Sequence, residues 1–434
     1  MNSISLEEGA DPQPAPTLAQ AFGVWLRIGL LSFGGPAAQI ALMHREVVDR
    51  KGWLSEQQFL NALSFCMLLP GPEAMQLATY AGWRLHGTIG GLVAGLLFVI
   101  PGAIVIFVLA LAYALFGEVP LINALFLGVK AAVIIIVIEA LLKVARRALH
   151  LVEHWIIAGL AFIGIFFLAL PFPLIIVLAA TFGFVRARRD DVEHPPVRLK
   201  VSAWQGLTTA LIWLAIWGIP LLVLAAYDSE GLLLEIGIFF SKLAIVTFGG
   251  AYAVLAYLGQ DVVGQFGWLS AGEMMDGLGL AETTPGPLIL VNEFVGFLAA
   301  FREAGFWYGV MGAVVTLWTT FVPCFLWIFV GAPYIDWIGS QARLRGALTA
   351  ITAAVVGVIL NLSIWFALHV FFEQVSVQVY GPLTLWQPEP ASIDWRVIAL
   401  ALMSAVLLFR FHWGISRVLV LASIGGAVMT AFVA

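Results

Sequence analysis

Residues 32–35 read Ser-Phe-Gly-Gly, and residues 247–250 read Thr-Phe-Gly-Gly, 215 positions further along the chain. The same offset relates the two Pro-Gly-Pro sequences, at 70–72 and 285–287. The two halves align between these motifs without a gap, and each carries one Gly-Trp-Leu-Ser sequence in register. Because glycine, proline and tryptophan match at one offset, the chain contains an internal repeat, and its architecture follows from that repeat.

The composition is that of a membrane protein. Of the 434 residues, 62% are hydrophobic and 11% are charged, whereas soluble domains carry about 25% charged residues. The net charge is −5, and no basic run suggests nucleic acid as a partner. The two cysteines, Cys66 and Cys324, have no neighbour at metal-ligand spacing, so neither a disulfide nor a zinc site is expected.

The apolar segments predict the membrane crossings, because about 20 apolar residues span a bilayer as a helix. Six segments belong to each repeat and a seventh lies between them, so equivalent segments are seven apart. An odd separation inverts the second repeat, as in many secondary transporters. We therefore expect an all-α polytopic membrane protein with about 13 transmembrane segments and two inverted-topology repeats that contain broken helices. The segments lie near residues 18–43, 57–82, 88–116, 119–142, 155–170, 173–185, 207–227, 233–259, 272–299, 305–331, 346–372, 396–409 and 414–432.

The loop charges predict the orientation. With the N-terminus in the cytoplasm, thirteen Lys and Arg residues fall on the cytoplasmic side and five on the outer side, which places the C-terminus outside. Whether the Phe-Gly-Gly and Pro-Gly-Pro segments cross fully or turn back is left open, because both alternatives keep the repeats inverted. The expected divisions are a disordered cytoplasmic tail at 1–17, the first repeat at 18–185, a cytoplasmic linker at 186–206, a linking transmembrane helix at 207–232 and the second repeat at 233–434.

Each repeat contains two interruptions that indicate a substrate site. Proline removes a backbone N–H and glycine relaxes the backbone, so both motifs should break their helices. Broken backbone is tolerated at membrane depth only inside protein or beside a cavity. The helix that restarts after Pro72 or Pro287 has free N–H groups and a positive dipole end, which suits an anion. The alternative interpretation is that the four interruptions are helix kinks that serve only packing.

Arg27 and Lys242 occupy one position of the repeat, inside apolar segments. Each lies about nine residues into its segment, or roughly 13 Å deep. Cations at such depth are rare and usually functional, so the pair is expected to neutralise an anion near the midplane. Snorkelling to lipid headgroups is the alternative. Lys130 is a third buried cation, with Thr352 as its repeat equivalent and Glu139 as a candidate partner.

Two carboxylates beside the Pro-Gly-Pro breaks are candidates for proton coupling. Glu282 lies three residues before Pro285, and Glu73 directly follows Pro72. Ionisable side chains inside membrane segments often form proton relays. Glu73 also lies in the first turn of the restarting helix, where a carboxylate stabilises the helix dipole, so this structural role stays open beside the coupling role.

The Phe-Gly-Gly, Gly-Trp-Leu-Ser and Pro-Gly-Pro sequences, present twice in a chain of this size, closely resemble the chromate ion transporter family in its long two-domain form. The resemblance extends from about Ala21 to Arg147 and from about Glu235 to Leu360. It implies export of chromate, a tetrahedral dianion similar to sulfate, and hence chromate resistance. The chain has no G-x-x-x-x-G-K-[ST] sequence, so an ion gradient rather than ATP should drive transport, with protons as the expected counter-ion.

We therefore expect a multi-pass inner-membrane secondary transporter without cofactor, metal or catalytic residues. Its expected partners are chromate or sulfate and the lipid bilayer, with a homodimer left open. Transport of sulfate or another oxyanion by uptake or exchange is the alternative function, and a membrane-embedded enzyme or a passive anion channel is the alternative of another class. The expected substrate-binding residues are Arg27, Ser32, Gly34, Gly35, Gly71, Lys242, Thr247, Gly249, Gly250, Thr284 and Gly286, and the coupling candidates are Glu73 and Glu282.

Overall fold

The chain folds as an α-helical membrane protein. A computed structural model describes residues 16–117, 119–187, 203–227, 231–248, 252, 255, 258–259, 261–335 and 341–433. Most of the predicted tail at 1–17 and most of the predicted linker at 186–206 lie outside these residues. Within the described ranges, five helices are long and apolar enough to cross a membrane, namely Glu73–Phe116, Pro120–Ala148, Trp204–Tyr227, Phe306–Tyr334 and Ala342–Phe371.

The helices follow the predicted segments but divide several of them. The first half contains α1 (Leu18–Leu31), α2 (Gly35–His44), α3 (Glu56–Cys66), α4 (Glu73–Phe116), α5 (Pro120–Ala148), α6 (Val152–Phe166), α7 (Phe172–Arg186) and α8 (Ala203–Tyr227). The second half contains α9 (Leu232–Val246), α10 (Ala271–Thr283), α11 (Val291–Ala304), α12 (Phe306–Gly331), α13 (Ala342–Phe371), the antiparallel strands β1 (Val375–Tyr380) and β2 (Leu383–Pro388), α14 (Trp395–Ala405) and α15 (Ile415–Val433).

The two sequence copies adopt matching local structures. Ser55 caps α3 and Ser270 caps α10, each in a capping box with the side chain three residues further on. A π-helical turn precedes each cap, at Arg45–Arg50 in the first copy and at Asp261–Gln265 in the second. The repeat therefore extends from sequence to backbone conformation.

Helix α4 is two antiparallel helices joined by a tight turn. His86 and Gly87 have non-helical dihedral angles, and Gly87 has a φ of 62°. A methyl group on Gly82 would lie 2.3 Å from the carbonyl oxygen of Gly90, although eight residues of straight helix would separate them by about 12 Å. The chain therefore reverses at Gly87, and α11 and α12 make the corresponding turn at Gly305 in the second copy.

The Pro-Gly-Pro segments also double back. In the second copy Arg302, near the end of α11, forms an ion pair with Glu273 at the start of α10, and its Nη1 donates to the carbonyl of Trp268 at 3.2 Å. A methyl group on Gly277 of α10 would lie 2.5 Å from the ring of Phe294 in α11. The two arms are thus antiparallel, with Pro-Gly-Pro at their tip. The sequence predicts broken helices at these motifs but does not predict that the arms meet.

The Phe-Gly-Gly segments double back in the same way. The rings of Phe239 in α9 and Trp268, which follows the break by about 20 residues, have centroids 5.5 Å apart. In the first copy the centroids of Trp25 and Trp53 lie 6.4 Å apart. A straight continuation would separate either pair by more than about 30 Å. Each copy therefore contributes two hairpins, which together with α12 and the second arm of α4 form what we call the hairpin bundle.

A second group of helices, α5, α6, α7, α13, α14 and α15, forms what we call the scaffold. Helix α15 packs on α5, where Gly128 approaches the carbonyl of Ala422, and α7 packs on α13, where Gly183 approaches Gly346. Helices α5 and α13 also pack on each other. The β-hairpin binds one end of the scaffold, because the amide of Thr384 donates to the carbonyl of Phe167 at 2.7 Å.

Candidate substrate site

The tips of the hairpins meet inside the bundle and bind one another across the repeats. The amide of Gly71 donates to the carbonyl of Thr247 at 2.8 Å, and the amide of Gly286 donates to the carbonyl of Ser32 at 2.9 Å. The second bond is the first with each residue replaced by its repeat equivalent. Each Pro-Gly-Pro tip therefore closes on the Phe-Gly-Gly break of the other copy.

Glycine is required at these tips by both conformation and space. Gly71 and Gly286 have φ values of 120° and 91°, a region that other L-residues rarely adopt. A methyl group on Gly71 would lie 2.9 Å from the Sγ of Cys324. The tip of the second copy is also in close contact with a helix. A methyl group on Gly102 of α4 would lie 2.1 Å from the carbonyl oxygen of Pro285 in that tip. Each tip thus contacts the helix that follows the other copy's hairpin.

Two buried glutamines hold the tips, and the sequence analysis did not select them. The Nε2 of Gln39 donates to the carbonyl of Gly286 at 2.6 Å and to that of Ser32 at 3.2 Å. The Nε2 of Gln76 donates to the carbonyl of Pro70 at 2.7 Å, and its Oε1 is buried without a partner among the described residues. The sequence signal that could have identified them is an amide side chain inside an apolar segment, close to a break.

The predicted hydroxyls lie at the breaks but bond to their own helices. Ser32 donates to the Ile28 carbonyl at 2.6 Å, and Thr247 makes the equivalent bond at 2.5 Å. Thr284 donates to the Ala281 carbonyl at 3.0 Å. Because the amides of the two tip glycines are also bonded, these groups reach an anion only when the tips rearrange.

The predicted amides of the Phe-Gly-Gly breaks divide between described and undescribed residues. Gly34 is exposed and Gly35 is half-buried, with φ values of 86° and 78°, at the start of α2. The first N–H groups of a helix have no partner within it, so this end carries partial positive charge. Gly249 and Gly250 lie outside the described residues.

Arg27 and Lys242 both lie on exposed faces, of α1 and α9 respectively. Neither forms an ion pair with another residue in the part of the chain that the structure describes. Lys242 lines a cavity of about 850 Å³, together with Asp261, Gln265 and His369. The walls of this cavity come from both the hairpin bundle and the scaffold, so it is a vestibule between them.

The coupling candidates differ in their surroundings. Glu282 is buried, and its Oε1 accepts a hydrogen bond of 2.7 Å from the Tyr252 hydroxyl. Glu73 begins α4 directly after the Pro72 cap and is half-buried. Glu293, which the sequence did not favour, is buried near the second Pro-Gly-Pro tip, and its Oε2 has no partner among the described residues.

Lys130 does not pair with Glu139. Its Nζ lies 3.3 Å from the Oδ2 of Asp276 in α10, and the Tyr113 hydroxyl donates to the same oxygen at 2.8 Å. Glu139 instead pairs with Lys143, one turn further along α5, at 2.6 Å. The nine-residue spacing between Lys130 and Glu139 places them on different faces of α5, which is why the sequence-based pairing is wrong.

Two copies of a broken-helix unit, closed on each other by their tips within a polytopic helical protein, are the architecture of a membrane transport protein. The chromate transporter family matches residues 19–184 and 234–430, and the chain belongs to that family. No solved structure matches the chain.

Individual relatives agree with this assignment. The chain is 33% identical over 354 residues to the chromate transport protein of Pseudomonas aeruginosa, with 80% of each protein covered. It is 30% identical over 357 residues to the probable chromate transport protein of Synechococcus elongatus, covering 80% of this chain and 84% of the relative. A shorter relative, the uncharacterized transporter YwrA of Bacillus subtilis, is 31% identical over 157 residues, which are 36% of this chain and 88% of that protein. That length is close to one repeat.

Proposed function

We propose that this protein exports chromate across the inner membrane as a secondary active transporter, in exchange for protons, and so confers chromate resistance. Membership in the chromate transporter family supports an oxyanion as cargo. The observation that supports the mechanism is the reciprocal bonding of the tips, Gly71 to Thr247 and Gly286 to Ser32. Because each copy completes the other's break, relative motion of the copies changes the site.

The proposed topology has two re-entrant hairpins at the start of each repeat, in place of four interrupted crossings. The contacts of Trp25 with Trp53 and of Arg302 with Trp268 support this topology, because each contact joins the two ends of a hairpin and so places both ends on the same side of the membrane. Removing two crossings from each repeat reduces the separation between equivalent crossings from seven to five. This number is still odd, so the repeats stay inverted.

The distribution of positive charge favours re-entrant hairpins over full crossings. Re-entrance moves Arg45, Arg50 and Lys51 from the outer side to the cytoplasmic side. Sixteen cytoplasmic Lys and Arg residues then face two outside, in place of thirteen against five. A cytoplasmic N-terminus and an outer C-terminus follow from this asymmetry.

The proposed chromate site lies between the copies, where the tips separate. A dianion that leaves water needs charge and hydrogen-bond donors to replace its hydration. Arg27 and Lys242 supply charge from the two sides. The amides of Gly34 and Gly35 and their second-copy equivalents supply donors, joined by the tip amides and hydroxyls as their internal bonds open. The two cations, the amides of the Phe-Gly-Gly breaks, the tip amides and the hydroxyls then all contact the anion in one site.

Proton coupling is assigned to the buried carboxyls beside the tips. Glu282 carries the proton in this proposal, because it is buried beside a break and, within the described residues, its carboxylate accepts its hydrogen bond from a neutral tyrosine. Glu73 is the candidate beside the other tip, at a different position of the repeat. Each lies within a few residues of a tip glycine, so movement of a tip changes its surroundings.

The test is radiolabelled flux in proteoliposomes with the pH gradient and the voltage imposed separately. We expect chromate to move against its own gradient when a pH gradient is present, and sulfate to move more slowly. Flux that only follows the anion's electrochemical gradient would indicate a channel. Faster movement of sulfate would assign the site to that oxyanion instead.

A further inference from the structure

Helices α3 and α10 are equivalent in the repeat, but only α10 is covered. Met275 and Glu282 are 0% and 5% exposed, whereas the equivalent Leu60 and Met67 are 45% and 55% exposed. The same contrast holds for Asp276, which is 3% exposed, and its exposed equivalent Asn61. One face of α3 therefore lacks a cover that the same face of α10 has.

The cover on α10 comes from the scaffold. A methyl group on Gly279 would lie 2.0 Å from the Cγ1 of Val129 in α5, and Lys130 of the same helix binds Asp276. Helix α10 also packs on α13 and α15. Helix α3 packs mainly on α4, where the rings of Phe65 and Tyr80 have centroids 6.3 Å apart.

The uncovered face of α3 is unsuited to lipid. It carries Gln57 and Asn61, which hydrogen-bond to each other at 2.8 Å, and the exposed Ser64. Polar side chains at membrane depth face protein or a water-filled space rather than hydrocarbon. The face therefore either contacts protein in another state or lines an aqueous path.

We propose that the exposed face of α3 docks on α13 of the same chain in the opposite state of the transport cycle, while α10 leaves α5. The structure is then the state in which α10 is docked on the scaffold and α3 is not, and exchanging the two repeats gives the other state. This inference rests on the proposed transport function and names the two surfaces that alternate.

The repeat equivalence specifies the contact. Val129 of α5 corresponds to Ile351 of α13, and Gly279 of α10 corresponds to Ser64 of α3. The close approach of Gly279 to Val129 thus predicts an approach of Ser64 to Ile351. Ile351 lies on the helix of the second copy that is equivalent to α5, and it is 5% exposed, so the docking requires its present neighbours to move away from it.

The two closing surfaces differ in charge. The outer surface has the cluster of Lys130, Asp276 and Tyr113, which we call the latch. The equivalent residues Thr352, Asn61 and Ile335 are uncharged. A charge-assisted pair on one surface alone stabilises the state in which that surface is docked, so the latch favours the state in which α10 is docked on α5.

Cross-linking tests the docking. In a background of Cys66→Ser and Cys324→Ser that still transports chromate, Ser64→Cys with Ile351→Cys should form an intramolecular disulfide during turnover, and its formation should stop transport. Reduction should restore it, and Ser64→Cys alone is the control. No cross-link in a protein that transports chromate would overturn the inference and leave the proposed function standing. Dimers covalently linked through Ser64→Cys alone would show instead that α3 binds a second copy.

Moving the latch gives a second test that does not depend on cross-linking. Asn61→Asp with Thr352→Lys builds a charged pair on the inner surface, and Asp276→Asn with Lys130→Thr removes the outer one. Either change should lower the labelling rate of Ser64→Cys by a membrane-impermeant thiol reagent, by about tenfold when both are combined. Unchanged labelling in folded, chromate-binding protein would show that the latch does not set the balance of states.

Discussion

At the scale of single residues, the two repeat-related cations carry the anion hypothesis. Arg27→Ala and Lys242→Ala should each weaken chromate binding about tenfold or more, because a charge-assisted hydrogen bond contributes about 1.5–3 kcal/mol. Arg27→Lys should keep part of the affinity, since the charge remains but the planar fork is lost. Calorimetry on purified, folded protein measures this directly. Wild-type affinity in both alanine variants would mean that the cations only reach lipid headgroups.

Comparison of the two copies selected the cations as site candidates but gave no reason to select the two glutamines at the tips. Arg27 and Lys242 stand out because both copies have a cation at one position. Gln39 and Gln76 correspond to Val254 and Val291, so comparison of the copies gave no signal for them. Their role depends on carbonyl groups that only the folded tips bring within reach, such as the Gly286 carbonyl 247 positions from Gln39.

At the scale of elements, the tips depend on glycine. Gly71→Ala and Gly286→Ala should each lower the free energy of unfolding by about 1–3 kcal/mol, because alanine is strained at these positive φ values. Transport should fall further than stability, since the reciprocal bonds to Thr247 and Ser32 are disturbed. Thermal unfolding and chromate flux measure the two effects. Gly159→Ala is the matched control, because nothing lies within 4 Å of its added methyl group, and it should lower neither.

The hairpins show where pattern reasoning stops at this scale. Proline and glycine predicted breaks at 32–35 and 70–72, and α1, α2, α3 and α4 begin or end there. The reversal was not predictable, because about 26 apolar residues suit one crossing or two half-crossings equally. Contacts between aromatic rings distant in sequence, such as Trp25 and Trp53, distinguish the two.

At the scale of the whole molecule, topology is the most direct test. Lys51→Cys should be labelled only from the cytoplasm and Gln265→Cys only from outside, because re-entrant hairpins return each residue to the side where its repeat begins. Both side chains are exposed, so accessibility is not limited by burial. Membrane-impermeant thiol reagents applied to right-side-out and inverted vesicles give the answer. Full crossings predict the reverse assignment for both, and labelling of both from one side would contradict inverted repeats altogether.

Coupling also belongs to the whole molecule, because a proton must change sides as the tips move. Glu282 is buried, and the hydroxyl of Tyr252 donates to its carboxylate at 2.7 Å. Glutamine has nearly the same shape and still accepts that bond, but it cannot bind and release a proton. Glu282→Gln should therefore abolish chromate transport driven by a pH gradient while sparing exchange of chromate for chromate, which needs no net proton movement.

The control for this prediction is Tyr252→Phe, which removes the donor but keeps the carboxyl, and which should shift the pH dependence of transport without abolishing it. Flux in proteoliposomes, with chromate inside or outside and the pH set separately on each side, separates drive from exchange. If Glu282→Gln still concentrates chromate against its gradient, the proton travels by another carboxyl. Glu293 is then the next to test, because it is buried beside the same tip and its Oε2 has no partner among the described residues.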